Sequence, residues 1–143
     1  MRVKRKQGYI AVYGNSFPIR IGKFLIGGKQ PKAAALPPFM FFYDESCEEP
    51  HRVNHELIHF IQAKELLIVG AWILWLIEYL YARIFLKMSA YDTYHYCALE
   101  QEAYLNDSNP GYLKNRKLFS IFKYIKNKKS FTVDKDGVVT IIH

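Results

Sequence analysis

Cysteine is scarce: Cys47 and Cys97 are the two in 143 residues, and they form no C-x-x-C pair. That excludes a disulfide-stapled scaffold and a paired-thiol redox site, and leaves two free thiols. A long apolar run is missing as well. The uncharged tract Leu66–Ile77 falls short of the about 20 apolar residues that a spanning helix needs. It reads as a buried core helix. Trp72, Trp75, Tyr79 and Tyr81 are residues of the kind that sit at a lipid–water boundary, so interfacial membrane contact is the alternative. The stretch Tyr9–Tyr13 is too short for the apolar core of a signal peptide and alternates like a strand. No export signal is expected, and the chain reads as cytoplasmic or membrane-associated. Internal repeats and low-complexity tracts are also absent.

Acidic residues are in deficit, with 13 against 20 basic ones and a formal net charge of +7. The excess lies at the ends, in Arg2, Lys4, Arg5 and Lys6 and again between Lys114 and Lys129. Solvated surface is the ordinary reading of such clusters, and attraction to an anionic membrane face is a second. A nucleic-acid footprint is a third and disfavoured one. Half of the residues are hydrophobic and 16% are aromatic, enough apolar surface for a packed core, which excludes bulk disorder. The length fits one domain over residues 1–143.

Against that background one short string carries a complete chemistry: His55-Glu56-Leu57-Ile58-His59. Helical positions four apart lie one turn apart on the same face, so His55 and His59 can point at one ion. Zinc accepts neutral imidazole nitrogen, and a catalytic zinc takes three protein ligands and leaves a position for water. Glu56 is placed to act on that water as a general base. The helix continues through Phe60–Leu67 without Pro or Gly, and Leu57, Ile58 and Ile61 mark it as largely buried.

The spacing of apolar and turn residues predicts an α+β chain, zincin-like, in which a helical core carries the H-E-x-x-H string. Short strands are expected over Tyr9–Tyr13 and Ile19–Ile26, a loop over Lys29–Pro38, and a strand over Phe39–Tyr43. Helices are expected from about Arg52 to Val69, with Asn54 and the acids before it as caps, then from Ala71 to Met88, with Gly70 as the break. Two more are expected from Tyr94 to Asn106 and from Tyr112 to Lys126. Ser130–Val133 and Val138–Ile142 flank Asp134-Lys135-Asp136-Gly137 as a C-terminal hairpin.

A third metal ligand is available on the Tyr94–Asn106 helix, where Glu100 and Glu102 compete. Two apart on a helix they diverge by about 200°, so one of them reaches the ion. Ala103 shares a face with Glu100 and lets a neighbouring helix come close. His51 and His95 read as surface or supporting groups, and His143 is terminal.

With H-E-x-x-H at 55–59 and Glu100-Gln101-Glu102-Ala103 downstream, the chain resembles the gluzincin clan of zinc metallopeptidases. Within the clan it looks most like the M48-type membrane and periplasmic enzymes and their small bacterial relatives, which carry a Gln where Gln62 stands. The resemblance covers about residues 36–113 and implies that Glu100, rather than Glu102, is the third ligand. Tyr104 departs from the pattern, since the larger enzymes have there an Asp that supports a ligand histidine.

The implied function is a zinc-dependent peptidase acting on a peptide or protein substrate, with Glu56 as general base. Tyr91, Tyr94, Tyr96 and His95 are the candidate oxyanion donors, and Phe39–Tyr43 is a candidate strand for pairing with substrate. The alternatives are a non-catalytic protein with a structural zinc site, closed by Cys97 or His95, and a basic membrane-surface module.

Overall fold

Gly8 sets the first turn. Its φ of +92° is open to glycine, and it joins β1 (Arg2–Lys6) to β2 (Tyr9–Tyr13) in an antiparallel hairpin. The basic cluster at the start of the chain is therefore an edge strand, and lysine and arginine on an edge discourage pairing with other chains. The structure is a computed structural model that describes residues 1–142, so His143 lies outside the described residues.

Residues 19–26 correct the sequence expectation. They belong not to a strand but to α1 (Phe17–Leu25). Pro18 sits in the first turn, where its fixed φ and missing N–H suit a helix start. The alternation Ile19, Ile21 imitates a strand, yet Ile19 is buried and Ile21 is exposed. The 29–38 segment also differs from the expected loop, because Ala33–Leu36 form β3.

The strand expected at 39–43 is β4 (Phe39–Phe42). The sheet order is β1-β2-β4-β3, with β4 parallel to β2 and antiparallel to β3. Both sides of β4 are thus occupied, and its backbone has no free edge for a substrate strand. The two edges of the sheet are β1 and β3. Met40 and Phe42 are fully buried on β4, each contributing about 1.5–3 kcal/mol of hydrophobic stabilisation. They pack with Tyr13 and Ala11 against Val53, Leu57 and Phe60, which seats the motif helix on the sheet.

That helix, α2, runs Pro50–Glu65 and ends earlier than expected. The chain breaks at Leu67 and Ile68, both at positive φ, rather than at Gly70, which lies inside α3 (Val69–Ile84). The axes of α2 and α3 diverge by 108°. The expected 94–106 helix is two pieces, α4 (Ala90–Tyr96) and α5 (Ala98–Asn106), divided at the extended Cys97. Ser89 caps α4 by accepting the Asp92 N–H. The buried carboxylate of Glu78 accepts the N–H of Ala98, the first residue of α5, at 2.9 Å. The 112–126 helix is likewise divided into α6 (Tyr112–Asn115) and α7 (Ile121–Lys126). The break falls beside the extended Arg116, whose side chain is turned inward onto two carboxylates.

The C-terminal hairpin forms as expected, with β5 (Phe131–Val133) antiparallel to β6 (Val139–Ile141). Lys129 N–H donates to Gln101 Oε1, and Gln101 Nε2 donates to Lys129 C=O, which ties the hairpin's root to α5. Strands at both ends with helices between make the architecture α+β.

Candidate metal centre

His55 and His59 stand on one face of α2 with ring centroids 4.9 Å apart. Glu100 enters from α5, where Ala103, fully buried one turn further on, adds no bulk. Glu100 Oε2 lies 3.1 Å from His55 Nε2, and Glu100 Oε1 lies 3.1 Å from His59 Nε2. One donor atom from each of the three side chains falls within 4.8 Å of the others. This is a constellation that can hold a metal ion.

Two observations show that the donor set fits an ion. His59 Nε2 is buried and makes no hydrogen bond, although Glu100 Oε1 lies 3.1 Å away. Glu56 Oε2 is also buried and unpartnered. Buried polar atoms without partners are costly and rare, and a cation between the three donors would relieve that cost.

The electrostatics point the same way. Burial pushes the His55 imidazole down, but Asp107 and Glu100 outweigh it and raise the ring to about 10. His59 is raised as well, with burial opposed by Glu100. Glu100 is held well below the usual carboxylate range, burial being overcome by the two imidazoles. Without metal, the carboxylates thus draw protons onto the histidines, in the place where a cation would otherwise sit.

A second layer orients the ligands. His55 Nδ1 lies 3.0 Å from Asp107 Oδ2. Asp107 therefore supplies the support that Tyr104 does not. It follows Glu100 at i+7, on the same helical face, which is the signal in the sequence that could have found it. Tyr104 instead packs edge-on against the His55 ring at 4.4 Å. Asn54 is not a cap. Its amide donates to the carbonyls of Asp107 and Asn109, which holds the end of α5 in place.

His59 Nδ1 lies 2.8 Å from Gln62 Oε1, and Gln62 Nε2 donates to Glu102 Oε1 at 2.9 Å. Glu102 is fully buried and points away from the triad. Tyr112 Oη donates to it at 2.6 Å and Arg116 Nε at 2.5 Å. Of the two competing carboxylates, the structure brings Glu100 and not Glu102 to the histidines.

Two cavities of about 330 Å³ each meet at this centre. One is bordered by His51, Arg52, His55, Asp107 and the hairpin residues Asp134 and Lys135. The other is bordered by His59, Glu100, β3 residues Ala33–Ala35, and the apolar Ile21, Trp72 and Trp75. Glu56 and Tyr94 line both. Burial raises the Glu56 carboxyl, against the lowering effect of the two imidazoles. Burial, then Glu100, pushes the Tyr94 phenol well above its ordinary range, so it stays protonated.

The other candidates fall outside the cluster. His95 Nδ1 bonds the Tyr91 carbonyl at 2.8 Å, and burial lowers its ring. Cys97 Sγ faces the Thr93 carbonyl, and burial pushes its thiol up, out of reach of easy ionisation. Tyr96 lies under Lys128, away from the triad. Among the described residues, the group that could hold a metal ion is His55, His59 and Glu100, with no fourth protein side chain in it. No protein-family model, no curated protein and no solved structure matches this chain.

Proposed function

We propose that the chain is a zinc-dependent peptidase of the gluzincin type, with a zincin-like arrangement of sheet edge and motif helix. The observation that carries this reading is the pairing of an open three-donor cluster, His55, His59 and Glu100, with the buried and unpartnered Glu56 on the same helix. Two imidazoles and a carboxylate are a donor set that suits zinc. Zinc held there would supply Lewis-acid polarisation of a peptide carbonyl and a water acidified toward neutrality.

The chain's own residues do the rest. Glu56, made more basic by burial, takes the water's proton and returns it to the leaving amine. Tyr94, held neutral beside Glu100, is the hydrogen-bond donor for the developing oxyanion. The substrate-pairing role expected of Phe39–Tyr43 passes to β3, the sheet edge that borders the His59 cavity. Tyr43 N–H bonds Lys32 C=O, so by antiparallel alternation Ala33 and Ala35 present their backbone groups outward. An extended substrate pairs there, with an apolar side chain directed toward Trp72 and Trp75.

The test compares Glu56→Gln with His55→Ala. The first is expected to keep its metal and lose hydrolysis of unfolded polypeptide by about 10²–10⁴-fold. The second is expected to lose both. A wild type with full metal and no turnover on any polypeptide would make the centre a structural staple between α2 and α5.

A further inference from the structure

The helix α3 is built inside out. Its one acidic residue, Glu78, is buried, where Lys128 pairs with it and the Ala98 N–H donates to it. Its outer face carries Trp72, Ile73, Leu76, Ile77, Leu80 and Ile84, each about half exposed or more. These positions fall at i, i+1, i+4, i+5, i+8 and i+12, which is one stripe of a helix. Phe17, Ile21 and Phe24 of α1 extend the stripe across the groove that α1 shares with α3. Tyr79 Oη, donating to the Leu25 carbonyl, joins the two helices. Contiguous apolar surface of this extent marks an interaction site.

The rim identifies the partner. Arg20 and Lys23 lie on α1 and Arg83 and Lys87 at the end of α3, all exposed. No Asp or Glu occurs before Asp44, and between Leu66 and Tyr91 the single acid is the buried Glu78. A second copy of the chain would bring these like charges together, whereas anionic headgroups would neutralise them. No single helix among the described residues is long and apolar enough to cross a membrane. The α2–α3 pair is long and apolar enough only when the two helices are taken together, but it is bent by 108° and α2 carries the buried His55, Glu56 and Gln62. A helix with an apolar stripe, a basic rim and insufficient length lies in the interface plane. Trp72, Tyr81 and Phe85 are residues that settle at headgroup depth.

We infer that α3 and the outer face of α1 form a docking surface for an anionic lipid bilayer, with α3 lying flat in the headgroup–acyl boundary. This holds whether or not the metal centre is catalytic.

The test uses the full chain and sedimentation with vesicles. Phosphatidylcholine vesicles with about one third phosphatidylserine are expected to carry the protein down, and pure phosphatidylcholine to carry at least tenfold less. Bound protein should show Trp fluorescence quenched by brominated acyl chains, a readout that needs no variant. Ile73→Ser with Ile77→Ser is expected to cut binding at least tenfold while leaving metal content intact. Absence of both sedimentation and quenching overturns the proposal. So does a wild type that is dimeric by sedimentation velocity, becomes monomeric in the double variant and ignores vesicles, because the face is then a dimer interface.

Discussion

Gln62 fixes the tautomer of His59. Its amide oxygen lies 2.8 Å from His59 Nδ1 while its amide nitrogen donates to Glu102 and to the Leu99 carbonyl. The Nδ1 proton is thereby committed to Gln62, and the Nε2 lone pair is left for the site. Replacing Gln62 with Leu removes that commitment. Metal affinity is expected to fall about 10–100-fold, as for other partners of ligand histidines. Competition with a chromophoric chelator measures it, and an affinity within twofold of wild type would refute the role.

Arg116 carries the charge balance behind that relay. It bridges Glu65 at 2.8 Å and Glu102 at 2.5 Å, and all three side chains are nearly or fully buried. Arg116→Leu leaves Glu102 charged and buried without its partner. Breaking a buried pair from one side costs about 3–5 kcal/mol. Arg116→Lys should recover only part of this, because an ammonium cannot reproduce the fork over two carboxylates. Chemical denaturation of the three proteins checks the order wild type, Lys, Leu.

The pH dependence has a definite sign. His55 is raised from 6.5 to about 10 in the folded, metal-free protein. Its contribution to stability is full below about pH 6.5 and is lost as the pH climbs toward 10. Glu56, also raised, acts in the same direction above the ordinary carboxylate range. The Tm of the chelator-treated protein is therefore expected to fall between pH 6.5 and 10. With zinc bound, the imidazole has no proton to lose and the fall should disappear. A metal-free Tm that stays level or rises over that window would count against the electrostatic account.

Ala35→Pro separates substrate pairing from metal binding. The Ala35 N–H points away from β4, so proline removes no bond within the sheet and is tolerated on an edge. Metal content and Tm should stay near wild type, while cleavage of unfolded polypeptide drops at least tenfold with the loss of one outward donor. Cleavage at the wild-type rate would show that substrate does not pair with β3.

What the sequence made legible was mainly local. The i, i+4 relation of His55 and His59 needs only a helix, and Asp134-Lys135-Asp136-Gly137 needs only turn chemistry. Both are in place. Helical spacing leaves Glu100 and Glu102 in competition, and the family resemblance favours Glu100. Elsewhere tertiary partners override local preference. Ile19–Ile26 alternates, but its packing under β3 and α4 makes it a helix. Ala33–Leu36 lacks the β-branched residues that announce a strand, and its pairing with β4 supplies what propensity does not. Glu102 reads as a rival ligand because its destination, Arg116, sits on a segment that reads as continuous helix. Asp107 reads as part of a turn, although its i+7 spacing from Glu100 carries it onto the face that meets His55 when α5 lies against α2.

Ala33, Glu56 and Tyr94 form the shared wall of the two hollows, one reaching to His51, Asp134 and Lys135 and the other to Trp72 and Trp75. The cluster that could hold a metal ion is therefore approached from two sides. Under the proposed peptidase reading, a substrate side chain seated against Trp72 and Trp75 leaves the cavity on the His51 side free for solvent to reach the same cluster.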